Sequence, residues 1–157
     1  MTEERAREAV AKAAELLSHR AHSTSSLQKR LMEKGFEEDE AAYAVSRLCE
    51  LQLLDDAAYA EELCRVCRAK GYGLMRVRQE LRKRGVPQEI AEAALADFEP
   101  EEAELVRFLK TKLRGSTDRA AVKRATDALF RRGFGWEEIS AALAALQREW
   151  EEESGEI

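Results

Sequence analysis

One short pattern recurs three times and restricts the fold more than any other feature of the chain. A basic residue, a glycine and an apolar residue stand together at Lys34-Gly35-Phe36, Arg84-Gly85-Val86 and Arg132-Gly133-Phe134, with the glycines 50 and then 48 residues apart. Apolar pairs four residues apart precede each one: Leu27 and Leu31, Val77 and Leu81, Ala125 and Leu129. Residues four apart share one face of a helix. A cation in the last turn suits the negative end of the helix dipole, and glycine takes the left-handed conformation just past the end. Ten residues after each glycine come Val45, Leu95 and Leu143, and thirteen after come Leu48, Phe98 and Leu146, so a second apolar helix follows each closing turn. Gly35, Gly85 and Gly133 are therefore expected to close helices.

A further helix precedes each pair. The first spans Glu3 to His19, with Val10, Ala13, Leu16 and Leu17 inward; the second spans Asp56 to Lys70, with Tyr59, Leu63, Val66 and Cys67 as a stripe. The third spans Glu101 to Leu113, with Leu105, Leu109 and Leu113 inward. Pro87 and Pro100 suit first helical turns, and Asp55 and Ser116 suit N-caps. With only 2 Pro and 8 Gly in 157 residues, the expected fold is all-α: an elongated, curved array of three tandem three-helix repeats. The expected borders are 1–52, 53–99 and 100–148, followed by an acidic C-terminal tail at 149–157.

Charge follows the repeats. Residues 1–64 carry 8 basic and 14 acidic side chains, 65–86 carry 8 and 1, 87–106 carry 0 and 7, and 107–132 carry 9 and 2. Two readings fit: basic and acidic helices pair with one another, or the basic blocks face a polyanion. The three cysteines, Cys49, Cys64 and Cys67, do not form a closed disulfide set and suit a reducing compartment. A zinc site from Cys64, Cys67, His19 and His22 is the sharper reading of the C-x-x-C, but a helical stretch beside Leu63 and Val66 makes buried thiols the expectation. No catalytic spacing joins Ser, His and Asp, so neither an enzyme nor a cofactor or metal is expected. No apolar run is long enough for a bilayer and the first residues are rich in acids, which places the expected protein in the cytoplasm, away from membranes.

Four strings in order resemble the RecX family of recombinase regulators. They are Arg20-x-His22-Ser23-x-x-Ser26-Leu27-x-x-x-Leu31-x-x-Lys34-Gly35-Phe36, Asp55-Asp56-x-x-Tyr59-Ala60, Lys70-Gly71-x-x-x-x-Arg76-Val77-x-x-Glu80-Leu81-x-x-Arg84-Gly85-Val86, and Leu129-x-x-Arg132-Gly133-Phe134-x-x-x-x-Ile139. The first departs from the family pattern, with His22 in place of a basic residue and Ser26 in place of Glu. The missing Glu weakens a capping box from Ser23, for which Ser25 with Gln28 offers a substitute. The resemblance implies a non-enzymatic, monomeric modulator of RecA. It would bind RecA and the RecA–single-stranded DNA filament in the filament's helical groove, with room for a weak direct contact with DNA. Strand exchange, ATP hydrolysis and repressor cleavage would be inhibited.

The residues expected to carry that contact are the two basic blocks. In the middle repeat, Arg78 and Arg82 lie on one flank of the helix carrying Val77 and Leu81, Arg76 and Lys83 on the other, with Arg65, Arg68 and Lys70 on the helix before. In the third repeat they are Lys123, Arg124 and Arg131, with Arg132 beside the closing glycine. Phe36, Phe98, Phe130 and Phe134 are expected to pack inside; Tyr72 either stacks on a base or wedges between repeats, and Trp150 covers the last core. The competing functions are a helical-repeat protein acting directly on DNA or RNA, and a scaffold that binds only protein. Net charge of −5 argues against strong autonomous nucleic-acid binding.

Overall fold

The computed structural model describes residues 1–155. Within them the chain forms nine α-helices and no strand: α1 (Glu3–His19), α2 (Thr24–Glu33), α3 (Glu38–Glu50), α4 (Asp56–Ala69), α5 (Leu74–Lys83), α6 (Gln88–Leu95), α7 (Glu102–Leu113), α8 (Arg119–Arg131) and α9 (Trp136–Ser154). The acidic run from Glu149 thus continues α9 to Ser154; Glu156 and Ile157 of the expected tail lie outside the described residues.

The closing turns are alike in their hydrogen bonds. After α2, Phe36 N–H donates to Leu31 O at 3.2 Å and Gly35 N–H to Met32 O at 3.0 Å. After α5, Val86 N–H donates to Leu81 O at 3.1 Å, and after α8, Phe134 N–H donates to Leu129 O at 3.1 Å. These are Schellman turns, which satisfy carbonyls that a helix end leaves open. The residue just past the helix cap needs positive φ, and Gly35, Gly85 and Gly133 have φ of +101°, +76° and +99°. A fourth such turn closes α4, where Tyr72 N–H donates to Cys67 O at 3.0 Å past Lys70-Gly71.

The chain divides into two compact units: Met1–Arg65 with Arg78–Ala96, and Val66–Val77 with the chain from Asp97 on. In the first, α1, α2 and α3 enclose Ala9, Ala13, Leu27, Leu31, Ala41, Ala44, Val45, Leu48 and Leu54. The alanines of α1 and α3 let those two backbones approach closely, while the leucines of α2 fill the remaining volume. In the second, α7, α8 and α9 enclose Leu105, Leu109, Leu113, Ala125, Leu129, Phe134, Ile139, Ala142 and Leu146, with Trp150 packed against them. Complete burial of a leucine such as Leu109 stabilises by about 1.5–3 kcal/mol.

Each unit also contains a joint where one helix begins on another's closing turn. In the first, the Ser23 hydroxyl accepts from Ser26 N–H at 3.1 Å as the N-cap of α2 and donates to Arg84 O at 2.5 Å. Asp56 accepts from Thr24 N–H at 2.8 Å and from Thr24 Oγ1 at 2.7 Å, and Arg84 Nη1 donates to the Tyr59 hydroxyl at 3.1 Å. In the second, Gly73 N–H donates to Arg132 O at 2.7 Å and Met75 N–H to Gly133 O at 3.1 Å, so open donors at the start of α5 meet open acceptors at the end of α8. A Cβ on Gly133 would fall 2.9 Å from Arg76 Cα, closer than real side chains come. These joints explain why the two units cut across the 53–99 repeat: the start of α5 is bonded to the α8 turn, and its end is bonded to α2. At the first turn a different device operates, with Arg5 Nη2 donating to Gly35 O at 3.1 Å and the guanidinium lying 4.5 Å over Phe36.

Several sequence expectations are corrected at the helix starts and on α4. Ser23, not Ser25 with Gln28, caps α2. Asp55 Oδ1 accepts from Ala57 and Ala58 N–H at 2.9 and 3.2 Å, as an N-cap does. Asp118 rather than Ser116 precedes α8, and Ser116 Oγ instead accepts from Asp118 N–H at 3.1 Å in the turn before it. Pro87 is the N-cap of α6, and Pro100 lies one residue before Glu101, the N-cap of α7. On α4 the buried apolar positions are Ala60, Cys64 and Cys67, with Asp56 buried at the helix start; Val66 is exposed, because Ala60, Cys64 and Cys67 themselves form the i, i+4, i+7 stripe. Both cysteines of the C-x-x-C are buried, with Cys64 Sγ 4.0 Å from Ala94 O, while Cys49 is exposed.

Candidate functional site

The cations singled out in the sequence differ in what they already hold. In the first unit, Arg78 donates through Nε and Nη2 to both oxygens of Glu92, at 2.8 and 3.0 Å. The hydrogen bond from Arg78 pulls the Glu92 carboxyl below its ordinary range and holds the Arg78 guanidinium above its own, so the pair stays ionised. Arg65 pairs with Glu62, one turn earlier on α4. Arg82 and Lys83 are exposed, and no ion pair among the described residues engages either. Arg82 helps to lower the Glu92 carboxyl through its charge without a hydrogen bond to it, so two adjacent cations at the end of α5 are outside any close ion pair among the described residues.

In the second unit, Arg68 lies 5.9 Å over the Phe98 ring and 3.7 Å from Glu101. The Arg76 guanidinium lies 4.4 Å over the Tyr72 ring, so one face of that half-buried tyrosine is covered. Lys123 reaches Asp127, one turn on, at 2.9 Å. Arg132 is half-buried, with its guanidinium 4.6 Å over Phe108, a packing role. Lys70, Arg124 and Arg131 are exposed, and no ion pair among the described residues engages them. The two readings of the charge blocks therefore divide by residue: Arg65, Arg68, Arg78 and Lys123 pair with acids, while Lys70, Arg82, Lys83, Arg124 and Arg131 do not. Exposed pairs of this kind are worth about 0–1 kcal/mol, so even the paired cations remain accessible to a polyanion.

Two aromatic residues were misjudged or missed in the sequence. Phe130, expected inside, is 45% exposed, and Trp136 is 59% exposed. Their rings stack with centroids 6.4 Å apart and planes 17° apart. The signal against burial was present: inward positions Ala125 and Leu129 place residue 130 about 100° off the buried face. Among the described residues no three His, Cys, Asp or Glu side chains are grouped to hold a metal ion, and no helix is long and apolar enough to cross a membrane.

Family models place this arrangement. Residues 9–48 match the first three-helix domain of RecX and residues 55–95 match the second. A regulatory protein RecX from Stenotrophomonas maltophilia strain R551-3 is 38% identical over 136 residues, covering 85% of this chain and 83% of that protein. This chain belongs to the RecX family. Another RecX regulatory protein, from Chlorobaculum tepidum, is 36% identical over 129 residues, covering 79% of each chain. The fold is similar to the crystal structure of RecX from Lactobacillus salivarius, with a TM-score of 0.84 and 22% identity over 93% of this chain and 99% of that one. A second crystal structure of a RecX regulatory protein has a TM-score of 0.77 at 23% identity, covering 92% of this chain and 72% of that one. RecX names a family of regulatory proteins, not of enzymes.

Proposed function

We propose that this RecX protein regulates RecA by binding the RecA–single-stranded DNA filament in its groove, and that it inhibits strand exchange, ATP hydrolysis and repressor cleavage. The observation that carries the reading is the match to proteins named regulatory protein RecX across 85% of the chain. The cations left without acidic partners support it. Arg82 and Lys83 in one unit, and Lys70, Arg124 and Arg131 in the other, offer positive charge to an acidic protein surface or to phosphates at little desolvation cost. The paired cations Arg65, Arg68, Arg78 and Lys123 add to the positive charge of their own units, since exposed pairs are weak.

Mechanistically, a regulator lodged in the groove would compete with the DNA strand and with repressor for the same space, so one binding event lowers several activities together. It would act as a monomer, in the cytoplasm, where RecA filaments form. The test is binding at matched salt to RecA alone, to bare single-stranded DNA and to the preformed filament. Tightest binding to the filament supports the regulator; equal affinity for bare DNA and filament would replace it with a protein that acts on nucleic acid directly.

A further inference from the structure

Phe130 and Trp136 form a built, outward aromatic pair that no core in their unit uses. Both are fixed at helix ends. Phe130 is in the last turn of α8, and Trp136 is the first residue of α9, where the N-cap Gly135 N–H donates to Glu138 Oε1 at 2.9 Å. Exposed aromatic surface carried on helix ends is available to a partner, and each ring has only two side-chain torsions to lose on binding.

The charge around the pair identifies the partner's chemistry. α8 carries four basic residues, Arg119, Lys123, Arg124 and Arg131, against the single acid Asp127. At 100° per residue, Arg119 and Lys123 fall within about 20° of Phe130, and Arg131 and Arg124 fall about 100–120° further round, near the middle of the outward half. All four are exposed, and Asp127 is held by Lys123 at 2.9 Å. On the α9 side, Glu137 and Glu138 line a depression with Glu99 and Glu102, with Glu138 turned back to the Gly135 N–H, so the cations lie on the α8 side of the pair alone.

We infer that Phe130 and Trp136 are a stacking platform for the unpaired bases of single-stranded DNA, with Arg124 and Arg131 taking the flanking phosphates. An aromatic platform edged by cations is the combination that binds single strands, because every base offers a π-face and every nucleotide a phosphate. A duplex hides its base faces, and the four cations spread from beside Phe130 to the middle of the outward face suit a chain of phosphates running past the pair. This inference deepens the RecX reading by giving the chain its own contact with the DNA strand.

The chain has 2 Trp, so Trp150→Phe leaves Trp136 as the sole reporter. That protein is titrated with an oligothymidylate and with an abasic oligomer of the same length, at about 50 and 200 mM salt. The oligothymidylate should quench Trp136 emission and bind roughly five- to one-hundred-fold more tightly than the abasic strand, which should leave the emission unmoved. Adding Phe130→Ala, with helicity unchanged, should remove most of that difference and leave abasic binding as it was. Equal affinity for the two oligomers, no binding of either, or saturation with unmoved emission would overturn the platform. A shift of Trp136 emission on adding RecA without DNA, with none on adding the oligothymidylate, would give the pair to a protein partner and likewise overturn it. Inhibition of the RecA ATPase, measured in parallel, separates the two claims: unmoved emission with intact inhibition defeats the platform alone, whereas quenching without inhibition defeats the regulatory reading alone.

Discussion

Two hydrogen bonds, of 2.8 and 3.0 Å, fasten the Arg78 guanidinium to the Glu92 carboxylate of the same unit. That pair marks a cation held by a hydrogen-bonded acid, in contrast to Arg82 and Lys83, which no ion pair among the described residues engages. Reversing Arg78 to Glu would break two hydrogen bonds and set two carboxylates against each other, whereas Arg82 acts on Glu92 only through its charge and Lys83 is in no ion pair among the described residues.

The double variant Arg82→Glu/Lys83→Glu therefore probes the surface without breaking a hydrogen-bonded ion pair. Exposed substitutions change stability by less than about 0.5 kcal/mol each, so urea midpoint and helicity should stay close to those of the unaltered protein. Filament affinity should fall and its salt dependence should flatten, because fewer charges are neutralised on binding. Arg78→Ala should cost less than about 1 kcal/mol in urea unfolding and should weaken binding less than the double variant does.

Gly35 and Gly133 share nearly the same φ, +101° and +99°, but not the same surroundings. A Cβ at Gly35 meets nothing within 4 Å, whereas at Gly133 it meets the backbone of Arg76. Gly35→Ala should cost about 1–2 kcal/mol from its backbone conformation alone. Gly133→Ala should cost clearly more, because the start of α5 must also move. Equal losses of thermal stability would show that the joint does not constrain the fold.

Ser23 serves two partners with one hydroxyl. Ser23→Ala removes the α2 cap and leaves the Arg84 carbonyl without its donor, for an expected loss of about 1–3 kcal/mol in urea unfolding. A loss below about 0.5 kcal/mol would mean that the bond to Arg84 contributes nothing in solution.

His22 gives the fold a pH dependence. It is 5% exposed, and its proton affinity is lowered from 6.5 by burial first, then by Arg20 and Arg30. The unfolded chain therefore takes up a proton at a higher pH than the folded one. The stability from neutral His22 is complete above 6.5 and is lost as pH falls through the folded value. Urea midpoints measured on either side of that range should show the decline, and His22→Gln should flatten it.

The helix ends were legible in the sequence because they depend on local rules: basic-Gly-apolar tripeptides marked the turns after α2, α5 and α8, and Lys70-Gly71-Tyr72 carried the same mark unremarked. Asp55 was legible for the same reason. Ser23 was passed over because a missing Glu at position 26 weakened the local motif, while the bond that secures Ser23, to Arg84, spans 61 residues. The split of the cations was equally hidden, since composition gives each block its charge but only tertiary structure decides that Arg78 hydrogen-bonds Glu92 while Arg82 acts on it only at a distance. Phe130 was misplaced by residue type, although its position beside Leu129 already took it off the buried face. The division of the chain inside α4 and α5 depends on carbonyls at Arg84, Arg132 and Gly133, which no side-chain pattern records.

Inhibition of the single-stranded-DNA-dependent ATPase of RecA, from the cell that encodes this chain, tests the regulatory claim most directly. The unaltered protein should lower the rate in proportion to its concentration, and the Arg82→Glu/Lys83→Glu variant should do so only at markedly higher concentration. An unchanged ATPase rate at saturating, folded, unaltered protein would contradict the account.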